Sequence, residues 1–137
     1  MSLEESDWEI SNTYQDTFYK HRYFGKYKYQ IIIFADYYGR SIHFHVGVAS
    51  GKKRKDLDLF ETKDNKSLGG IKALLWIKQE ILGFPEYYKE KYNTSNSKLY
   101  LCIEWSDSRR REIYSRLEKE GFLFQIIQGQ KTLIKEV

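Results

Sequence analysis

Residues 27–50, YKYQIIIFADYYGRSIHFHVGVAS, carry two runs of apolar alternation on either side of a turn. Tyr27, Tyr29, Ile31 and Ile33 recur at spacing two, as do Ile42, Phe44, Val46 and Val48. Between them DYYGRS supplies a turn in which Gly39 is free to take positive φ. Spacing two is the period of a strand with one face on a core. The stretch therefore reads as a hairpin, with His43, His45 and Gly47 on the side away from that core.

Downstream, the basic loop GKKRK leads into DLDLFET, where Leu57 and Leu59 share a face and a third short strand is expected to end near Thr62. The period then changes. Ile71, Leu74, Leu75, Lys78, Ile81 and Leu82 are spaced by three and four, with Ser67 as N-cap and with Gly83 and Pro85 expected to stop the helix. LYLCIEW alternates again, and SDSRRREIYSRLEKEG reads as a second helix, capped by Ser106 or Asp107 and ended by Gly121. FLFQIIQ, a turn at Gly129 and KTLIKEV close the chain as a hairpin. The expectation is a single α+β domain over residues 27–137 in the order βββαβαββ, an antiparallel meander followed by helix, strand, helix and hairpin. An acidic and aromatic arm, residues 1–26, precedes it.

Composition narrows the function classes. At 137 residues the chain is long enough for one real core, and 17% aromatic residues, twelve of them Tyr, argue against disorder. The apolar runs Ile31 to Ala35 and Leu99 to Ile103 are far shorter than the roughly 20 residues of a membrane span. The first thirty residues lack the apolar core of a signal peptide, and the lone Cys102 has no internal disulfide partner. The expected location is cytoplasmic. The sequon Asn93-Thr94-Ser95 then reads as a polar loop.

Charge is unevenly distributed. Residues 1–19 hold five acids and no Lys or Arg, whereas residues 20–55 hold nine Lys and Arg against Asp36 alone. Ten aromatics between Tyr14 and Tyr38 are interleaved with those cations. Rings that stack on bases, beside cations that track phosphates, are what single-stranded nucleic acid or structured RNA requires. The residues expected to carry that contact are Lys20, Arg22, Tyr23, Lys26, Lys28, Tyr37, Tyr38 and Arg40, with Lys52, Lys53, Arg54 and Lys55 adding phosphate contacts from their loop. The leading expectation is a small basic nucleic-acid-binding accessory protein that needs no cofactor, of the style of compact phage or mobile-element proteins. A further class is an inhibitor or adaptor that binds another protein through Glu4, Glu5, Asp7 and Glu9 or through its tyrosines.

Other groups carry less. His43 and His45 share a face but have no nearby third ligand, so no metal site is expected. Arg109, Arg110 and Arg111 would oppose the dipole of a helix start and so point to an anionic partner. Cys102, flanked by Leu101 and Ile103, reads as filler.

The succession of strand meander, Gly-Gly helix start, strand, helix ending in Gly121-Phe122 and hairpin resembles the GNAT superfamily of acyl-CoA-dependent N-acetyltransferases. The resemblance spans about residues 27–137. It implies that Lys66, Ser67, Leu68, Gly69 and Gly70 would hold the pyrophosphate of acetyl-CoA at a helix start, although Ile71 stands where that family carries a small residue. It also implies a base, Glu104, and a phenolic acid, for which Tyr114 is the nearest phenol, one turn before the family's position at Leu117.

Overall fold

The computed structural model describes residues 7–11, 16–25, 27–51, 58–59, 70–104, 118–127 and 129–137. Among these, the strands are β1 (Glu9–Ile10), β2 (Thr17–Phe24), β3 (Tyr27–Tyr38), β4 (Ser41–Gly51), β5 (Asp58–Leu59), β6 (Lys98–Glu104), β7 (Leu123–Ile127) and β8 (Gln130–Glu136). One helix, α1 (Gly70–Lys91), accompanies them. The strands form a single mixed sheet in the order β1-β2-β3-β4-β6-β8-β7, with β5 attached to β4.

The hairpin of residues 27–51 is the centre of that sheet. β3 and β4 pair antiparallel from Lys28 opposite Gly51 to Tyr38 opposite Ser41, and Gly39 takes φ +59° in the turn. Ile31, Ile33, Phe44 and Val46 are all buried on one face, as their alternation requires. β6 lies beside β4 in parallel, Ser41 opposite Lys98 through Val46 opposite Ile103. A parallel neighbour needs a crossover, and α1 is in it. β8 then inserts antiparallel between β6 and β7, so the C-terminal hairpin joins the sheet through its last strand.

α1 packs on the face that holds Ile31 and Phe44. Ala73, Trp76, Ile77, Ile81, Phe84 and Tyr88 recur by three and four and are all buried. Phe84 lies at the centre: its ring is 4.9 Å from Trp8, 5.2 Å from Phe18 and 5.1 Å from Phe44, each edge-on. Edge-on pairs at these separations add to the area that the rings bury. Lys89 and Lys91 occupy the last turn, where cations complement the dipole.

Several expectations are corrected here. The order βββαβαββ, with three strands before the first helix, is replaced by one wide mixed sheet in which α1 is the one helix among the described residues. β2 was hidden because its inward positions are cationic. Phe18, Lys20, Arg22 and Phe24 face α1: the Lys20 ammonium is 2.8 Å from the Glu80 carboxylate, and the Arg22 guanidinium lies 4.8 Å from the Phe24 ring centre. Phe18 and Phe24 are the only apolar groups on that side of the strand, and two such positions leave no clear alternation. The helix also runs through Gly83 and Pro85 to Lys91. A proline there removes one backbone hydrogen bond, at a cost of about 3 kcal/mol in a helix interior. Burial of Phe84, Pro85 and Tyr88 offsets that cost. Leu75, expected inward, is exposed. Of DLDLFET only Asp58–Leu59 is described, paired to β4. The expected second helix falls mostly at residues 105–117, outside the described residues.

β7 stands at one end of the sheet, and Leu123 and Ile126 are each 66% exposed on opposite faces of it. An apolar edge strand without charge invites association. Replacing Ile126 by Lys is expected to reduce concentration-dependent light scattering while shifting unfolding free energy by no more than about 0.5 kcal/mol.

Candidate nucleic-acid interface

The sheet has a second face, opposite α1. Alternation and register place on it Tyr19, His21 and Tyr23 of β2, Lys28, Gln30, Ile32, Phe34, Asp36 and Tyr38 of β3, His43 and His45 of β4, and Lys98, Tyr100 and Cys102 of β6. Toward the later strands this face is closed, since Ala49, Cys102 and Thr132 are buried. Over β2, β3 and the first half of β4 it is open: Tyr23 is 38% exposed, Phe34 43% and Tyr38 55%.

The rings on this face form a strip. Phe34 stacks on His45 at 6.5 Å with 29° between planes, His45 is 6.4 Å from His43, and His43 lies between Tyr38 at 4.9 Å and Tyr100 at 5.1 Å. His21 and Tyr23 make a second pair, 5.9 Å apart. Asp36 holds the strip in place: its Oδ2 accepts a 2.7 Å hydrogen bond from the Tyr38 hydroxyl and lies 3.7 Å from His45 Nε2. The hydrogen bond to Asp36 raises the Tyr38 phenol above its ordinary range, so the ring stays neutral and able to donate.

Burial and the neighbouring His45 hold the His43 imidazole below its ordinary pKa, Asp36 opposing them, and burial followed by Lys28 does the same to His21. A base with its folded pKa lowered takes up its proton more readily in the unfolded chain. The contribution of these two histidines to stability is therefore level above roughly pH 6.5, falls as pH drops through that value, and is level again below their folded pKa values. The melting temperature is expected to be lower at mildly acid pH than at neutral pH, and His43→Gln to reduce that difference. An unchanged pH slope in the variant would remove His43 from this account.

The residues named from sequence divide between the two faces. Tyr23, Lys28 and Tyr38 are on the open face, and Arg40 is exposed in the turn at its end. Lys20 and Arg22 are on the α1 face, where Lys20 is largely buried against Glu80. Tyr37 is also on that face: its hydroxyl lies 2.7 Å from the Tyr88 hydroxyl and donates to Asp16 Oδ1 at 3.2 Å. Lys26, Lys52, Lys53, Arg54 and Lys55 lie outside the described residues, as do Lys66, Ser67, Leu68, Gly69, Tyr114 and Arg109 to Arg111. Gly70 is the first residue of α1, and Glu104 ends β6 opposite Thr132. Sequence reasoning passed over Phe34 and Tyr100, whose place in the strip comes from cross-strand neighbours.

Among the described residues no cluster of three His, Cys, Asp or Glu side chains is arranged to hold a metal ion, and no helix is long and apolar enough to cross a membrane. Comparison of the chain with protein-family models, with curated proteins and with solved structures finds no match.

Proposed function

We propose that the protein binds single-stranded nucleic acid across the open face of its sheet. The observation that carries this reading is the strip Phe34, His45, His43, Tyr38 and Tyr100 on the face away from α1, in which Phe34 and Tyr38 are exposed and the other three rings half-buried. Phe34 and Tyr38 are four residues apart on one strand, so the strip runs for about 13 Å, room for two or three unstacked bases. Each base stacked on a ring contributes about 1–3 kcal/mol, independent of its identity. Arg40 and Lys98 border the strip and would meet the phosphates, while Lys28 lies about 20 Å farther along β3, opposite Tyr23, where it could meet the backbone of a longer strand.

The test is fluorescence anisotropy with oligothymidylate, oligouridylate and a duplex of equal length. Saturable binding of the single strands, weaker on duplex and falling with added salt, is expected. Equal affinity for all three, or none for any, would reject the reading.

A second reading, acetyl-CoA-dependent N-acyl transfer, has one observation in its support. β4 and β6 are parallel and α1 lies in the connection between them, so the start of α1 is at the carboxyl ends of both strands, where open sheets place ligands. Free N–H groups at that helix start would attract a pyrophosphate. Acetyl-CoA should then raise the melting temperature and Gly69→Asp should remove the rise. A melting temperature indifferent to the cofactor would dismiss this reading.

A further inference from the structure

Beyond the ring strip, at the end of the sheet where β3 turns into β4, the surface dips into an open cleft of about 570 Å³ lined by Arg40, Ser41, Ser95, Asn96, Ser97 and Lys98. That volume is within the range of small-ligand sites. The lining holds two cations, three hydroxyls and a carboxamide, and no carboxylate. Its walls are fixed to one another. The Lys98 N–H donates to the Arg40 carbonyl at 2.8 Å, the Ser97 N–H to the Thr94 carbonyl at 3.0 Å, and Asn93 Oδ1 accepts from both the N–H and the hydroxyl of Ser95 at 3.1 and 2.9 Å.

The cleft is continuous with the strip. Ser41 is paired with Lys98 and, two residues on, His43 is paired with Tyr100, so the two pairs share a face about 7 Å apart. Tyr38, whose ring contacts His43, is directly opposite Ser41. A nucleotide with its base against Tyr38, His43 and Tyr100 would set its phosphate among Arg40, Lys98 and the hydroxyls.

We infer that this cleft receives a terminal phosphomonoester of the bound strand, an inference that rests on the nucleic-acid reading above. A diester within a strand carries one negative charge and two terminal oxygens. A monoester carries about −1.5 to −2 near neutrality and three acceptor oxygens. The guanidinium fork of Arg40, the Lys98 ammonium and the Ser41 and Ser97 hydroxyls offer more donors than a diester can use, and their two positive charges match the dianion.

The experiment is competition against labelled oligothymidylate by three unlabelled ones that differ only in their ends: a 5′-phosphate, a 3′-phosphate, or hydroxyls at both. With the unaltered protein one phosphorylated form is expected to compete about tenfold better than the hydroxyl-ended strand, and which form does so identifies the end that is held. In Arg40→Ala, Lys98→Ala that ratio is expected to fall to about one, with circular dichroism confirming the fold. Equal competition by all three strands, or a ratio that survives both substitutions, would overturn the inference and leave the nucleic-acid reading standing. Competition by none would end both.

Discussion

Replacing Phe84 by alanine is expected to cost about 3–5 kcal/mol of unfolding free energy, the range for removing a fully buried aromatic ring from a core. The ring has no accessible surface, and it joins parts of the chain that are distant in sequence: Trp8 before β1, Phe18 on β2, Phe44 on β4, and Tyr87 and Tyr88 on its own helix. A cavity there is bounded by rigid rings that cannot collapse into it without leaving their edge-on contacts. Domains of this size are stable by about 5–15 kcal/mol, so the variant should melt far earlier and with a broad transition. Leu75→Ala is the control, since Leu75 projects from the same helix but is exposed, and should change stability by no more than about 0.5 kcal/mol. Denaturant unfolding of both variants measures the contrast. A loss below about 1 kcal/mol at Phe84 would mean that α1 does not dock on the sheet as described.

That contrast also indicates where sequence patterns were informative. The parity of Ile31, Ile33, Phe44 and Val46 could be read directly, because each strand of the hairpin carries an uninterrupted apolar alternation and Gly39 marks the turn between them. The C-terminal hairpin was legible through its turn alone: Gly129 takes φ +80° between β7 and β8, although neither strand carries a clean apolar alternation. β2 resisted the method: with Lys20 and Arg22 inward, its two faces look alike until Glu80 arrives from a helix sixty residues later. Pro85 resisted it too, because a local rule for ending helices gives way when the residues around it are buried. The same limit applies to the interface. Tyr37 and Tyr38 are indistinguishable as sequence, yet one is bonded to Tyr88 beneath the sheet and the other lies beside His43 on its open side. Tyr100 reaches His43 only because β6 lies parallel to β4, and long-range pairing of that kind leaves no mark in either segment.

The strip itself is the most demanding expectation. Phe34→Ala combined with Tyr38→Ala should weaken oligothymidylate binding by about 2–6 kcal/mol, the sum of two stacked bases, which is at least roughly 30-fold in affinity. Both rings are on the surface, so the folded state should be nearly unaffected, and a loss of binding cannot be ascribed to unfolding if the melting temperature is kept. Tyr38→Phe separates the ring from its hydroxyl. It keeps the stacking surface and loses the bond to Asp36, and should bind within about threefold of the unaltered protein. Tyr37→Phe, altered on the α1 face, should bind as before. If the double variant retains its affinity while Lys28→Ala and Lys98→Ala lose theirs, recognition is electrostatic alone, and bases have no part in it. The opposite outcome, affinity lost with the rings and little changed by the lysines, requires stacking to supply most of the binding energy. That result fits a face on which five aromatic or imidazole rings follow one another within 6.5 Å and the carboxylate among them, Asp36, is already engaged by two of them.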